Sequence, residues 1–70
     1  MNAARLQEDV EMIKLPEVRR ITGLGTTSIY NKMASNEFPR QVKLGIHGVA
    51  WVKAEVIAWV NERVTLRRVS

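Results

Sequence analysis

Three residues, Gly23-Leu24-Gly25, stand between two short stretches of helical spacing, and this interval constrains the fold more than any other part of the chain. Upstream, Pro16 suits the first turn of a helix, because its missing N–H is one that a helix start leaves unpaired anyway. Glu17 beside it complements the positive end of the helix dipole. Val18 and Ile21 recur three apart, and Gly23 ends the helix where the left-handed conformation costs a glycine little. Downstream, the spacing predicts a second helix over 26–36, capped at Gly25 or Thr26, with Ile29 and Met33 as an i, i+4 apolar pair and a polar outer face. Leu24 is expected to plug the core between the two helices.

The flanking segments change period. "EMIK", 11–14, predicts a short strand. In the stretch 38–52, Val42, Leu44, Val49 and Trp51 fit a period of two within each arm, and "GIHG" at 45–48 supplies two glycines for a reversal, which predicts a hairpin over 41–52 anchored by those four residues. "KAEVIAWVNERV" returns to helical spacing, with Val56, Trp59, Val60 and Arg63 at i, i+3, i+4 and i+7. "TLRRVS" is expected to fray. The plan is therefore a leader at 1–11, a folded unit at 12–63 and a flexible basic tail at 64–70. Helix, tight turn, helix, hairpin, helix is a mainly α fold with a small β-hairpin, a winged helix-turn-helix. Ile29, Met33, Phe38, Trp51, Val56 and Trp59 are its expected core.

Composition limits the chemistry. Seventy residues make one small domain, whose core supplies about 3–5 kcal/mol of net stability. The chain has no cysteine and His47 as its sole histidine, so neither a disulfide, a thiolate metal site nor a histidine cluster is expected. Catalysis has no constellation to stand on; the expectation is no enzyme and no cofactor. No apolar run approaches a bilayer span, and "MNAARLQEDV" lacks the apolar stretch of a secretory signal, which predicts a cytoplasmic protein with no membrane partner.

Charge points to a polyanion. The net charge is +4 and the pI about 10.1. Residues 1–14 carry −1, residues 15–53 carry +4 and the remainder +1, so the excess lies on the folded unit. Double-stranded DNA is the expected partner. In a winged helix-turn-helix the second helix enters the major groove while the hairpin reaches along the backbone. Thr26, Thr27, Ser28 and Asn31 then lie on the first turns of the reading helix. Asn pairs with adenine through two hydrogen bonds, and a Thr methyl touches a thymine methyl; the plain alternative for these residues is capping and ordinary surface. Tyr30 either sends its hydroxyl to a phosphate or sits at the edge of the core. Lys32, Arg40 and Lys43 are the expected phosphate partners, with one of Arg19 and Arg20 in support. His47, at the hairpin tip, is a wing contact or a plain loop residue, without a partner for acid–base work.

The segments "LPEV", "ITGLGTTSIYNKM", "EFPRQVKLG" and "VAWVKAEVIAWV" make the chain resemble the AlpA family of prophage regulatory proteins, small relatives of phage excisionases and of the MerR-type winged helix. The likeness spans about residues 12–62. Its most specific part is the series TG, SIY, FP, then a Trp followed eight positions later by a second Trp. The resemblance implies a transcription regulator of mobile-element genes, or an excisionase-like factor that bends DNA at an attachment site. Either would occupy short sites with several copies. Family members commonly carry Ser and Arg where this chain has Gly25 and Thr26, and Arg around the wing tip where it has His47 and Ala50. Those differences, with the apolar Ile46, motivate an alternative: an adaptor that keeps the scaffold and docks on a phage or host regulatory protein. Structured RNA as a target has only the charge in its favour.

Overall fold

The computed structural model describes residues 10–69, so residues 1–9 of the expected leader lie outside the described residues. Glu11, placed in that leader, belongs to the fold: its carbonyl accepts the Lys53 N–H at 2.8 Å and its carboxylate lies 3.6 Å from Lys53 Nζ. The elements in chain order are β1 (Met12–Ile13), α1 (Leu15–Thr22), α2 (Thr26–Ala34), β2 (Val42–Lys43), β3 (Val49–Val52) and α3 (Lys53–Val69).

α1 begins and ends as its sequence dictates. Pro16 occupies the first turn, and Gly23 closes the helix in the left-handed region at φ 77°, its N–H donating to the Arg19 carbonyl at 2.8 Å. A Cβ at position 23 would meet nothing within 4 Å, so the demand for glycine is conformational rather than steric. Thr22 locks the turn, because its hydroxyl donates to the Val18 carbonyl at 2.8 Å and accepts the Leu24 N–H at 3.1 Å. Leu24 packs against the core as expected.

α2 opens at Gly25, which caps with its backbone alone, and stops at Ala34, two residues before the expected end. The reason is Asn36. Its φ of 62° places it in the left-handed region, which Asn tolerates because its short polar side chain hydrogen-bonds locally. The chain then leaves the helix axis, with Asn36 N–H donating to Met33 and Glu37 N–H to Lys32 at 3.1 and 2.7 Å.

The expected hairpin is part of a three-stranded antiparallel sheet of order β1-β3-β2. β3 is central, pairing Met12 with Val52 and Ile13 with Trp51 on one side, and Val42 with Ala50 and Lys43 with Val49 on the other. That centrality corrects the expected anchors. Trp51 is fully buried, Val49 is half-buried, and Val42 and Leu44 are 39% and 53% exposed. β2 is a two-residue edge strand, so Val42 within it and Leu44 just after it are covered from one side only. Ala50 is buried within β3 rather than placed at the wing tip, so no charge at that position would project from the wing. The reversal also differs from expectation. Leu44 N–H donates to the Gly48 carbonyl at 2.8 Å around the tip Gly45-Ile46-His47, and neither Gly45 nor Gly48 has a positive φ.

Ile13, Val18, Ile29, Phe38, Trp51 and Val56 form the core, with Leu15, Ile21, Leu24, Met33 and Trp59 packed against it. Met33 and Trp59 are thus half-buried at its margin rather than inside it. α3 corrects the expected tail at 64–70: the helix runs for 17 residues to Val69. Val64, Thr65, Leu66 and the two arginines that follow supply no Gly or Pro to stop intrahelical pairing, so the helix continues although each residue from 61 to 67 is exposed.

Candidate nucleic-acid interface

Successive α-helical residues turn by about 100°, so Thr27, Asn31 and Ala34 fall opposite the Ile29 and Met33 stripe. All three are exposed, as are Thr26 and Ser28. The α2 cap is Gly25, which has no side chain, and no side-chain hydrogen bond closes it. Among the described residues the side chains of Thr26, Thr27, Ser28 and Asn31 have no hydrogen-bond partner. The first two turns of α2 therefore present a row of unsatisfied donors and acceptors to solvent.

Tyr30 holds α2 against the approach to the sheet. Its hydroxyl donates to Gln41 Oε1 at 3.3 Å, and its ring meets Trp51 edge-on with centroids 6.3 Å apart. The ring thus sits at the edge of the core while 39% of the residue stays exposed. Trp51 in turn donates its indole N–H to the Pro39 carbonyl at 3.2 Å. Together these contacts fix the segment from α2 to β2.

The basic residues spread around that frame. Lys32 is half-buried on the flank of α2, and its carbonyl takes both Glu37 N–H and the Ser35 hydroxyl. Arg40 is exposed and donates from Nη2 to Asn36 Oδ1 at 3.0 Å, which braces the turn that ends α2. Lys43 lies exposed on edge strand β2, and His47 is exposed at the tip beside Ile46, which is 89% exposed. On α1, Arg20 is committed to Glu17 through a two-pronged pair, Nε to Oε1 at 3.1 Å and Nη2 to Oε2. That pair holds the Glu17 carboxyl below its usual value, mainly through the hydrogen bonds, and raises the Arg20 guanidinium. Arg19, exposed and with no side-chain partner among the described residues, is left as the uncommitted charge of α1.

Two residues that pattern reading passed over shape this surface. Gln41 anchors Tyr30, and Asn36 both turns the chain and receives Arg40. The "SN" after α2 was a legible stop signal, since Asn favours the left-handed position; the Gln41 contact spans eleven residues and left no local trace. No group of three or more His, Cys, Asp or Glu among the described residues is placed to hold a metal ion. No described helix is long and apolar enough to cross a membrane.

The sequence that folds this way is similar to known proteins. The family described as prophage CP4-57 regulatory protein (AlpA) matches residues 11–64. A protein of Enterobacteria phage P4 described as uncharacterized protein ORF88 is 41% identical over 56 residues, covering 80% of this chain; the chain spans 64% of that protein's length. The DNA-binding transcriptional activator AlpA of Escherichia coli K12 is 30% identical over 63 residues, 81% of this chain and 90% of the activator.

Proposed function

The chain belongs to the AlpA family of prophage regulatory proteins, and from that premise we propose that it binds double-stranded DNA as a transcription regulator of phage or prophage type, acting in the cytoplasm and without catalysis. α2 enters the major groove and the β2–β3 hairpin lies along the backbone as a wing. The observation that carries the reading is the row of exposed, unpartnered side chains at the start of α2. Hydrogen-bonding groups left to water at the start of a helix, on a module of net charge +4, are what base-edge recognition requires. Thr27 and Asn31 read bases; Thr26 and Ser28 flank them. Lys32, Arg40, Lys43 and His47 contact phosphates, and Tyr30 orients the helix through its hydroxyl bond to Gln41 and its ring contact with Trp51. One such module covers little DNA, so several copies occupy adjacent sites, as regulator or as excisionase-like architectural factor.

A second reading draws on the wing. Leu44 and Ile46 expose apolar surface where a phosphate-seeking tip would carry charge. In that reading the chain is an adaptor that docks the tip on another regulatory protein.

Selection of bound fragments from a random duplex pool separates the two. Enrichment of a short motif supports DNA, and Asn31→Ala then lowers affinity for that motif by about 1–3 kcal/mol while leaving random DNA nearly unaffected. A pool that stays unenriched removes the DNA reading, and equal losses on motif and random DNA remove Asn31 from base recognition.

A further inference from the structure

An open groove runs between the segment after α2 and the first half of α3. Phe38 and Trp59 floor it, their rings edge to face with centroids 5.0 Å apart. The floor is preformed: Trp59 Nε1–H donates to the Glu37 carbonyl at 2.7 Å, and Glu37 N–H is tied to Lys32. Glu55, Ala58, Trp59 and Glu62 lie at i, i+3, i+4 and i+7 along α3, so two carboxylates flank the ring on one helix face, and Glu37 stands on the opposite wall.

The charge of this groove is opposite to that of the chain. Of the four acidic residues in 12–69, Glu17 is committed to Arg20; the other three, Glu37, Glu55 and Glu62, all line the groove, and none has an ion-pair partner among the described residues. Arg63 also lines the groove, its guanidinium 5.6 Å from the Trp59 centroid, so the ring already serves as a cation platform and the lining carries three carboxylates against one guanidinium. The three carboxylates are too dispersed to form a metal site. They suit an extended polycation. Phosphates would be repelled here, so the face stays open while basic surfaces elsewhere engage a polyanion.

We propose that this groove is a docking site for an arginine- or lysine-bearing segment of a partner protein, with an aliphatic stem laid along Trp59 and Phe38 and the cationic heads paired with Glu37, Glu55 and Glu62. The preformed floor lowers the cost of ordering on binding, and the carboxylate rim selects the sign of the partner. The site is independent of the DNA reading.

The test uses the full chain and two synthetic peptides, one arginine-rich and one with every arginine replaced by glutamine. A protein of net +4 repels a polycation on average, so saturable binding needs a local acidic site. The expected result is a saturable shift of the Trp59 indole N–H resonance by the arginine peptide alone, with the Trp51 indole N–H unmoved. In E37K/E62K, two exposed positions away from any helix N-terminus, affinity for that peptide falls by about tenfold or more, while the melting midpoint and DNA affinity are not reduced. The glutamine peptide binding equally well, the variant binding the arginine peptide undiminished, or shifts confined to residues outside the groove would each overturn the proposal. Loss of DNA binding in the wild type would leave this result standing.

Discussion

Trp51 joins three parts of the molecule through one side chain: it is fully buried, meets Tyr30 edge-on and donates its indole N–H to the Pro39 carbonyl. Truncating such a residue leaves a cavity and an unpaired carbonyl, so Trp51→Ala is expected to cost about 3–5 kcal/mol. That equals the whole net stability of about 3–5 kcal/mol a core of this size supplies, and thermal melting by circular dichroism should find the variant largely unfolded at room temperature. A native-like melt would show that the core does not depend on Trp51. Glu17 and Arg20 give a contrasting residue-scale case. Hydrogen bonds from Arg20 hold the Glu17 carboxyl below its ordinary value, so the pair favours the folded state above the unfolded carboxylate pKa and that contribution disappears as pH falls through the folded one. Both groups are solvent-exposed, so the effect on stability is slight. The readable consequence is local: in Arg20→Ala, the Glu17 carboxyl pKa, followed by carbon-detected NMR titration, should rise towards its ordinary value. An unchanged Glu17 titration would mean that Arg20 does not set it.

At the scale of elements, the wing divides into stem and tip. The stem is held by β3, central in the sheet and paired on both sides; the tip Gly45-Ile46-His47 is exposed throughout. Replacing Ile46 by Gly and His47 by Ser together should leave the melting midpoint nearly unchanged, since a residue 89% exposed loses little burial. If the tip rides on the phosphate backbone, the same variant binds all duplex sequences more weakly, because backbone contacts position without reading bases. A silent effect on DNA combined with lost capture of a defined regulatory partner would favour the adaptor reading. α2 lies between two backbone devices, Gly23 before it and Asn36 after it, both left-handed.

For the whole molecule, the distribution of charge decides the response to salt. Arg19, Lys32, Arg40 and Lys43 come from different parts of the chain, while among the described acidic residues Glu37, Glu55 and Glu62 line the α3 groove, Glu17 pairs with Arg20 and Glu11 lies beside Lys53. If the proposed wing and helix touch about four to six phosphates, each contributing about −0.9 to the slope of log K against log salt, duplex binding should weaken steeply with added salt. Titrations at several salt concentrations by fluorescence anisotropy measure the slope directly. A flat dependence would be incompatible with a phosphate-contacting wing.

What the sequence determined by itself was local. Pro16 and Gly23 bound α1 because proline and glycine restrict or free φ within their own residue, and the Ile29–Met33 spacing selects the inner face of α2 because a helix repeats every 3.6 residues whatever surrounds it. The family resemblance lay in the same short segments, and the match over residues 11–64 agrees with it. Non-local pairing was left to the tertiary structure. A period of two nominates a face of a strand but not which strand lies at the centre, so Val42 and Leu44 looked like anchors until β1 closed the far side of β3 and left β2 at the edge. Charge composition likewise says how many carboxylates there are, not where they meet. Only the packing of α3 against the turn after α2 brought Glu37 to the same groove as Glu55 and Glu62, because residues far apart in the chain become neighbours through burial of Phe38 and Trp59, which no local pattern encodes.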